Sequence, residues 1–273
     1  MSCVRCQVSS ESVAAIIVNY NMPERADALA RYIFDFIKWP VEVFLVDNGS
    51  DIMQPAENTT LWLERNIQTT GGWNAGLDQA RDQGEYLAYW FLITSTSPPD
   101  PLPEAGRGRD VLSPLARLLV EDAEAVGVHP ALTEDSTTAW KHLITRPTPS
   151  PSLKGGELER GARRTWMIDN IASLWRAEWF DAQGGFDPRL MYGWGIDLDL
   201  SWAARHEGRS LWIHEGCQVK KVTDIGYAMG RMKMTAEERV RLAGANMDQV
   251  LRNRYGKNWD WMMRNEFVEE QWR

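Results

Sequence analysis

Three polar clusters stand directly after three apolar runs. Asn19-Tyr20-Asn21 follows Val13 to Val18, Asp47-Asn48-Gly49-Ser50 follows Val41 to Val46, and Thr94-Ser95-Thr96 follows Tyr86 to Ile93. Their amides, hydroxyls and one carboxylate are groups that hydrogen-bond a polar ligand. A fourth stretch, Gly71-Gly72-Trp73-Asn74-Ala75-Gly76, lets backbone come close to a ligand, because glycine has no Cβ in the way. Other chemistries find little support. There is no G-x-S-x-G elbow and no G-x-x-x-x-G-K-[ST] phosphate loop. His129, His142, His206 and His214 share no metal-ligand spacing with another His, Cys or acid, and each reads as a surface or satisfied histidine. Cys3 and Cys6 form a C-x-x-C with no second pair to complete a zinc site. Cys217 is the third and last cysteine, too few for a disulfide framework.

The elements that must position these clusters follow from periodicity. Val13 to Val18 is an apolar, β-branched run of strand length. Glu24 to Lys38 places Ala26, Leu29, Ala30, Ile33, Phe36 and Ile37 at helical spacing, with Pro23 where a first turn tolerates proline. Val41 to Val46 is a second strand and Leu61 to Arg65 a third; Gly71 to Gln83 reads as a glycine-rich turn feeding a helix. Tyr86 to Ile93 is apolar throughout, as a strand buried on both faces should be. This alternation predicts a mostly parallel sheet with helices on its faces, and such sheets bind ligands beyond the carboxyl ends of their strands. The three polar clusters should therefore gather along one rim.

The second half is less regular. Pro98 to Asp110 and Thr145 to Arg164 are proline- and glycine-rich loops, the latter long enough to suggest a lid. Trp166 to Trp175 reads as a strand, Ala177 to Ala182 as a short helix, and Asp197 to His206 as a helix. Ser210 to Ile213 and Gln218 to Val222 are short strands; Thr235 to Tyr255 is an amphipathic helix opened by a capping-box pattern, Thr235-x-x-Glu238.

Composition bounds the function class. The 273 residues carry 30 bases and 38 acids, net −8, which argues against a nucleic-acid binder. Hydrophobic residues at 44% and charged residues at 25% are ordinary for a globular chain that buries a sizeable core. No stretch approaches the ~18 apolar residues of a membrane span, and the first dozen residues hold no apolar run that could act as a signal peptide. A cytoplasmic location is expected. The 14 tryptophans are the outlier, and flat aromatic faces suit sugar rings as well as cores.

IIVNYN (Ile16 to Asn21), VDNGSD (Val46 to Asp51), NIQTTGGWNAGLDQA (Asn66 to Ala80), GGFDPRL (Gly184 to Leu190) and GIDLDL (Gly195 to Leu200) resemble, in order and spacing, the family 2 glycosyltransferases of the GT-A fold, in the branch that includes rhamnosyltransferase-like enzymes. The resemblance covers roughly residues 13 to 222. It implies an α/β, Rossmann-like GT-A domain over 13–225, with a nucleotide-binding half to about residue 100 and an acceptor half beyond it. Residues 1–12 would be a tail and 226–273 a C-terminal helical extension.

The resemblance further implies an inverting transfer from a nucleotide-diphosphate sugar, UDP- or dTDP-linked, to a hydroxyl of a glycan or glycolipid. In that scheme Asp47 meets the nucleotide, together with Asn19, Tyr20, Asn48, Gly72 and Asn74. Asp197 matches the family's base; Ile196 replaces the usual Glu before it, and Asp199 is assigned a structural role. Trp194 is placed to stack on an acceptor sugar. The family's metal-binding carboxylate after the fourth strand is missing: Thr94, Ser95, Thr96 and Ser97 stand there, and hydroxyls are weak ligands for magnesium or manganese. Lys221 stands at or beside the place of a second ligand, a His. A metal-independent transfer follows as the expectation, with Lys220 or Lys221 supplying charge and Thr94 and Thr96 donating hydrogen bonds to the departing diphosphate. No metal site or cofactor is predicted, although Mg or Mn at the diphosphate is the family norm. The alternatives are a catalytically degenerate nucleotide-sugar binder of the same fold and, more remotely, a sugar nucleotidyltransferase. Trp259, Trp261, Met262, Met263 and Phe267 leave three roles open for the C-terminal segment: core packing, a homodimer contact, or a peripheral contact with the inner face of the membrane.

Overall fold

The computed structural model describes residues 11–97, 110–145, 161–222 and 225–265. The expected loops 98–110 and 145–164 lie largely outside those residues, and Cys3, Cys6 and Phe267 lie outside them altogether.

The first half follows the predicted alternation. Strands β1 (Val13–Asn19), β2 (Val41–Asp47) and β4 (Ala88–Ile93) run parallel, with β1 between the other two. A short β3 (Leu61–Trp62) adds to β2; only two residues of the expected Leu61 to Arg65 strand pair. β1 is buried along its whole length, so its side chains alternate between two cores. Val13, Ala15 and Ile17 face helix α1 (Pro23–Phe36), which contributes Ala26, Leu29, Ala30 and Ile33. Ala14, Ile16 and Val18 face helix α2 (Gln68–Gln83), which contributes Trp73, Leu77 and Ala80.

Helix α2 corrects the expected glycine-rich turn. Gly71, Gly72 and Gly76 lie inside the helix, although each lowers helix stability by about 1 kcal/mol relative to alanine. Packing is the reason. A Cβ at Gly76 would stand 2.6 Å from Ile16 Cγ2 and 2.8 Å from Val46 Cγ2, and one at Gly72 would stand 2.9 Å from Val18 Cγ1. Gly72 and Gly76 let α2 lie directly on β1 and β2, whereas a Cβ at Gly71 would meet Ile67 instead.

The second half completes a nine-stranded sheet in the order β3-β2-β1-β4-β8-β6-β9-β5, with β7 also on β9. Its members are β5 (Thr96–Ser97), β6 (Ala125–Leu132), β7 (Ala162–Arg164), β8 (Leu174–Arg176) and β9 (Ser210–Lys221). β8 is antiparallel to both β4 and β6, which makes the sheet mixed. Helix α3 (Leu112–Glu121) and β6 occupy a region that sequence reasoning left unassigned, and β7 falls within an expected loop. The two late strands expected at 210 and 218 are one strand. Its register against β6 jumps from His214 to Gln218 beside Pro130, where proline offers no N–H to the ladder. The expected strand from Trp166 to Trp175 forms only at its end. Residues 165–173 are irregular, and Asn170 Oδ1 stabilises them by accepting from Ser173 Oγ (3.0 Å) and Trp175 Nε1 (3.1 Å).

Helices α4 (Ala177–Ala182), α5 (Ile196–His206), α6 (Ile225–Ala228), α7 (Ala236–Tyr255) and α8 (Trp259–Asn265) follow. The capping box at α7 forms both of its bonds between Thr235 and Glu238. Leu251, Trp259 and Met263 are buried in the same core as α2 and α5, whereas Trp261 is exposed. Among the described residues no helix is long and apolar enough to cross a membrane.

Candidate active site

A cleft of about 380 Å³ opens beyond the carboxyl ends of β1 and β4. Tyr20, Thr94 and Ser95 come to it from the strand ends, and Gln68, Thr69 and Trp73 from α2. Asp169 and Asn170 enter from the irregular segment before β8, Tyr192 to Trp194 from the loop before α5, and Lys221 from the end of β9. The far wall is C-terminal: Gly226, Tyr227, Met232, Ala236 and Arg239.

The rim forms as expected, but its residues divide into those that face the cleft and those that hold it. Asp47 belongs to the second group. It is 2% exposed, and it accepts from Asn19 Nδ2 (3.0 Å), from the Ser50 N–H (2.8 Å) and from Ser50 Oγ (2.8 Å). The turn it closes needs Gly49 at φ +68, where a Cβ would meet Arg65 backbone at 2.2 Å. Asn19 accepts the Met22 N–H (3.0 Å), and Asn21 Oδ1 receives the N–H groups of Asp51, Ile52 and Met53. Tyr20 and Asn48 do line the cleft. Asn48 is held by Gln68 O and the Ile67 N–H. Gly72 lies beneath Asn48, and Asn74 Nδ2 donates to Phe186 O (3.0 Å), which ties α2 to the loop after α4. Neither Gly72, Asn74 nor Asp47 lines the cleft.

At the other end, Thr94 and Ser95 face the cleft while Thr96 does not. Thr96 is 5% exposed and its hydroxyl donates to Ile171 O (2.7 Å). Its backbone pairs with Lys221 across β5 and β9, so the two residues singled out by the resemblance are neighbours in the sheet. Trp194, with 39% of its surface exposed, stands at the cleft wall as an accessible aromatic face.

Lys221 Nζ meets Asp169 Oδ2 at 2.9 Å. Asp169 was not foreseen, because it sits in an apolar stretch whose periodicity suggests only a strand. Asp197 stands at the start of α5, after Gly195 at φ +88, within electrostatic reach of this pair but not itself on the cleft wall. It is 8% exposed, and its Oδ1 accepts the Leu198 N–H at 2.9 Å. Burial pushes the Asp197 carboxyl up to about 7, and the negative charge of Asp169 adds to the effect; Lys221 opposes it. Asp199 is turned away and accepts from Arg254 Nη1 (2.8 Å) and from the Tyr255 hydroxyl, joining α5 to α7. His129 corrects its expected surface or satisfied state. It is fully buried with Nε2 unpartnered, and burial lowers it to about 4, so it is neutral at pH 7.

The donor set does not suit a hard cation. Two hydroxyl residues stand after β4, and the one carboxylate on the cleft wall among the described residues is engaged by an ammonium group. Among the described residues, no group of three or more His, Cys, Asp or Glu is placed to hold a metal.

No protein-family model matches the sequence, and no curated protein does. Solved structures do match. GalNAc-T7 with UDP, GalNAc and Mn2+ superposes at TM-score 0.57 and 14% identity over 77% of this chain, which spans only 43% of that one. The mannosyltransferase PcManGT from Pyrobaculum calidifontis with GDP-Man and Mn2+ gives 0.52 and 14%, covering 92% of this chain and 73% of that one. TarS from S. aureus in complex with UDP-GlcNAc gives 0.54 and 14%, covering 96% and 78%. The chain has the GT-A fold. The cleft lies where an open α/β sheet of this kind takes its ligands.

Proposed function

We propose that this GT-A chain is an inverting glycosyltransferase of the family 2 type, in its rhamnosyltransferase-like branch. It moves a sugar from a UDP- or dTDP-sugar to a hydroxyl of a glycan or glycolipid. One observation carries the reading. The Asp169–Lys221 pair and the accessible ring of Trp194 meet on one cleft beyond β1 and β4, and the buried Asp197, off the cleft wall, is close enough to feel both charges of the pair. The nucleotide sugars and nucleotide bound by the structures of like fold support the donor class.

In this reading Trp194 stacks on the acceptor sugar and orients its hydroxyl. Asp197 takes the hydroxyl proton while the oxygen bonds to the anomeric carbon. The bond from that carbon to the diphosphate oxygen breaks, and the nucleoside diphosphate leaves with the electron pair. A carboxylate that ionises near 7 is well matched to general-base work at neutral pH. Lys221 and the hydroxyls of Thr94 and Ser95 face the leaving charge, so the reaction runs without a divalent metal. Asn48 and Tyr20 border the nucleotide, while Asp47, Asn19 and Asn74 set the shape of its site from beneath.

A melting-temperature screen of UDP-, dTDP- and GDP-sugars, with and without manganese, identifies the donor, since ligands that prefer the folded state raise it. Release of free nucleoside diphosphate from the best ligand then separates enzyme from binder. Stabilisation without release, whatever acceptor glycan is added, would establish the degenerate binder instead.

A further inference from the structure

A cation on a cleft wall needs a carboxylate or an anionic ligand. Among the described residues, three charged side chains line this cleft: Lys221, Asp169 and Arg239. Lys221 and Asp169 neutralise each other at 2.9 Å. Arg239 has no carboxylate within ion-pair distance among the described residues, so the described part of the cleft wall carries one unbalanced positive charge in a chain of net charge −8. The guanidinium is nonetheless positioned. Its Nη2 donates to Thr69 Oγ1 and to the Tyr192 carbonyl, each at 3.2 Å. Those bonds occupy one edge of the fork and fix its plane, while Nε and Nη1 donate to nothing among the described residues.

We infer that Arg239 is the diphosphate anchor of this cleft. A guanidinium fork matches phosphate oxygens bidentately, which an ammonium group already bound to Asp169 does not. The inference rests on the donor reading above and assigns a binding residue to the C-terminal helix α7, a part of the chain with no expected role in the site. It also gives that helix a reason to pack across the cleft. Arg231 reaches Glu24 through Nη1 (2.8 Å) and Nη2 (3.1 Å), and Asn21 Nδ2 donates to Arg231 O (3.1 Å). These contacts hold the segment before α7 against the loop after β1.

The test is calorimetric titration, in chelator, of UDP, dTDP, GDP, inorganic pyrophosphate and uridine into the wild type, R239Q, R239K and T69V. The wild type should bind a nucleoside diphosphate, and R239Q should weaken it about ten- to a hundredfold, the effect of losing hydrogen bonds to a charged group. R239K should recover part of the loss. T69V, which removes one brace and keeps the cation, should lose far less, and uridine affinity should not change in any variant. Equal affinities in wild type and R239Q would overturn the assignment and leave the donor reading standing. An equal loss in T69V and R239Q would also overturn it, because Arg239 would then be a brace only. Pyrophosphate bound as tightly as every nucleotide, and lost in R239Q, would keep the anion site and overturn the nucleotide reading. No binding of any diphosphate by the wild type would overturn both.

Discussion

Asp197→Asn should make the protein more stable and inactive at once. Unfolded, the carboxyl ionises at its ordinary 3.8; folded, it holds its proton to about 7. Its pKa is raised, so the native state carries no penalty below 3.8, an increasing one as pH climbs between the two values, and the full one above about 7. That gap corresponds to roughly 4 kcal/mol as an upper bound, at about 1.4 kcal/mol per pH unit. Asparagine removes the charge but keeps an oxygen for the Leu198 N–H, so the start of α5 survives. With relaxation of the site, about 2 kcal/mol of gain at pH 8.5 is a fair expectation, or roughly 4–8 °C in melting temperature for a domain of this size. Paired calorimetric melts of wild type and D197N from pH 4 to 8.5 measure it. The gain should vanish toward pH 4. A variant that is equally stable at pH 8.5, or less stable at every pH, would refute the argument that Asp197 is a buried, destabilising charge.

Other outcomes follow from single contacts. Asp47→Ala should lower unfolding free energy by about 2–4 kcal/mol in urea titrations at pH 7, since it strips partners from Asn19 Nδ2 and from the Ser50 N–H and hydroxyl. Gly76→Ala should cost about 1–3 kcal/mol by the same measurement, because its methyl would press on Ile16 and Val46. Trp194→Ala should raise the acceptor KM several-fold with kcat nearly kept and melting temperature unchanged, as expected of an accessible stacking face. Transfer by the wild type should be insensitive to chelator, while Lys221→Gln should lower kcat by about a hundredfold; activity abolished by chelation and restored by manganese would overturn the metal-independent reading.

The parallel half of the fold was legible because β1 and β4 are continuous apolar runs, and β2 is one broken only by Glu42, each ended by a polar turn, a local signal. Where sequence reasoning failed, distant partners decided. Gly72 and Gly76 look like a loop until the closeness of α2 to Ile16, Val18 and Val46 is known. His214 to Cys217 reads as a gap between strands, but the neighbouring Pro130 makes it an irregularity within one strand. The rim of the cleft was visible in the order of Asn19–Asn21, Asp47–Ser50 and Thr94–Thr96. Which members face the cleft was not, because Asp47 and Thr96 are turned inward by bonds to Ser50 and Ile171. Asp169 lacked any local mark, since its meaning comes from Lys221, 52 positions away. Arg239 was equally hidden on an ordinary amphipathic helix.

The central claim is base catalysis by a buried carboxylate on a nucleotide-sugar donor. The pH dependence of kcat for transfer from the identified donor, in chelator, tests it most directly. The rate should rise with unit slope to a plateau above about pH 7, and D197N should show no such limb and at least a thousandfold lower rate. A D197N variant that transfers at the wild-type rate with the same profile would contradict the account.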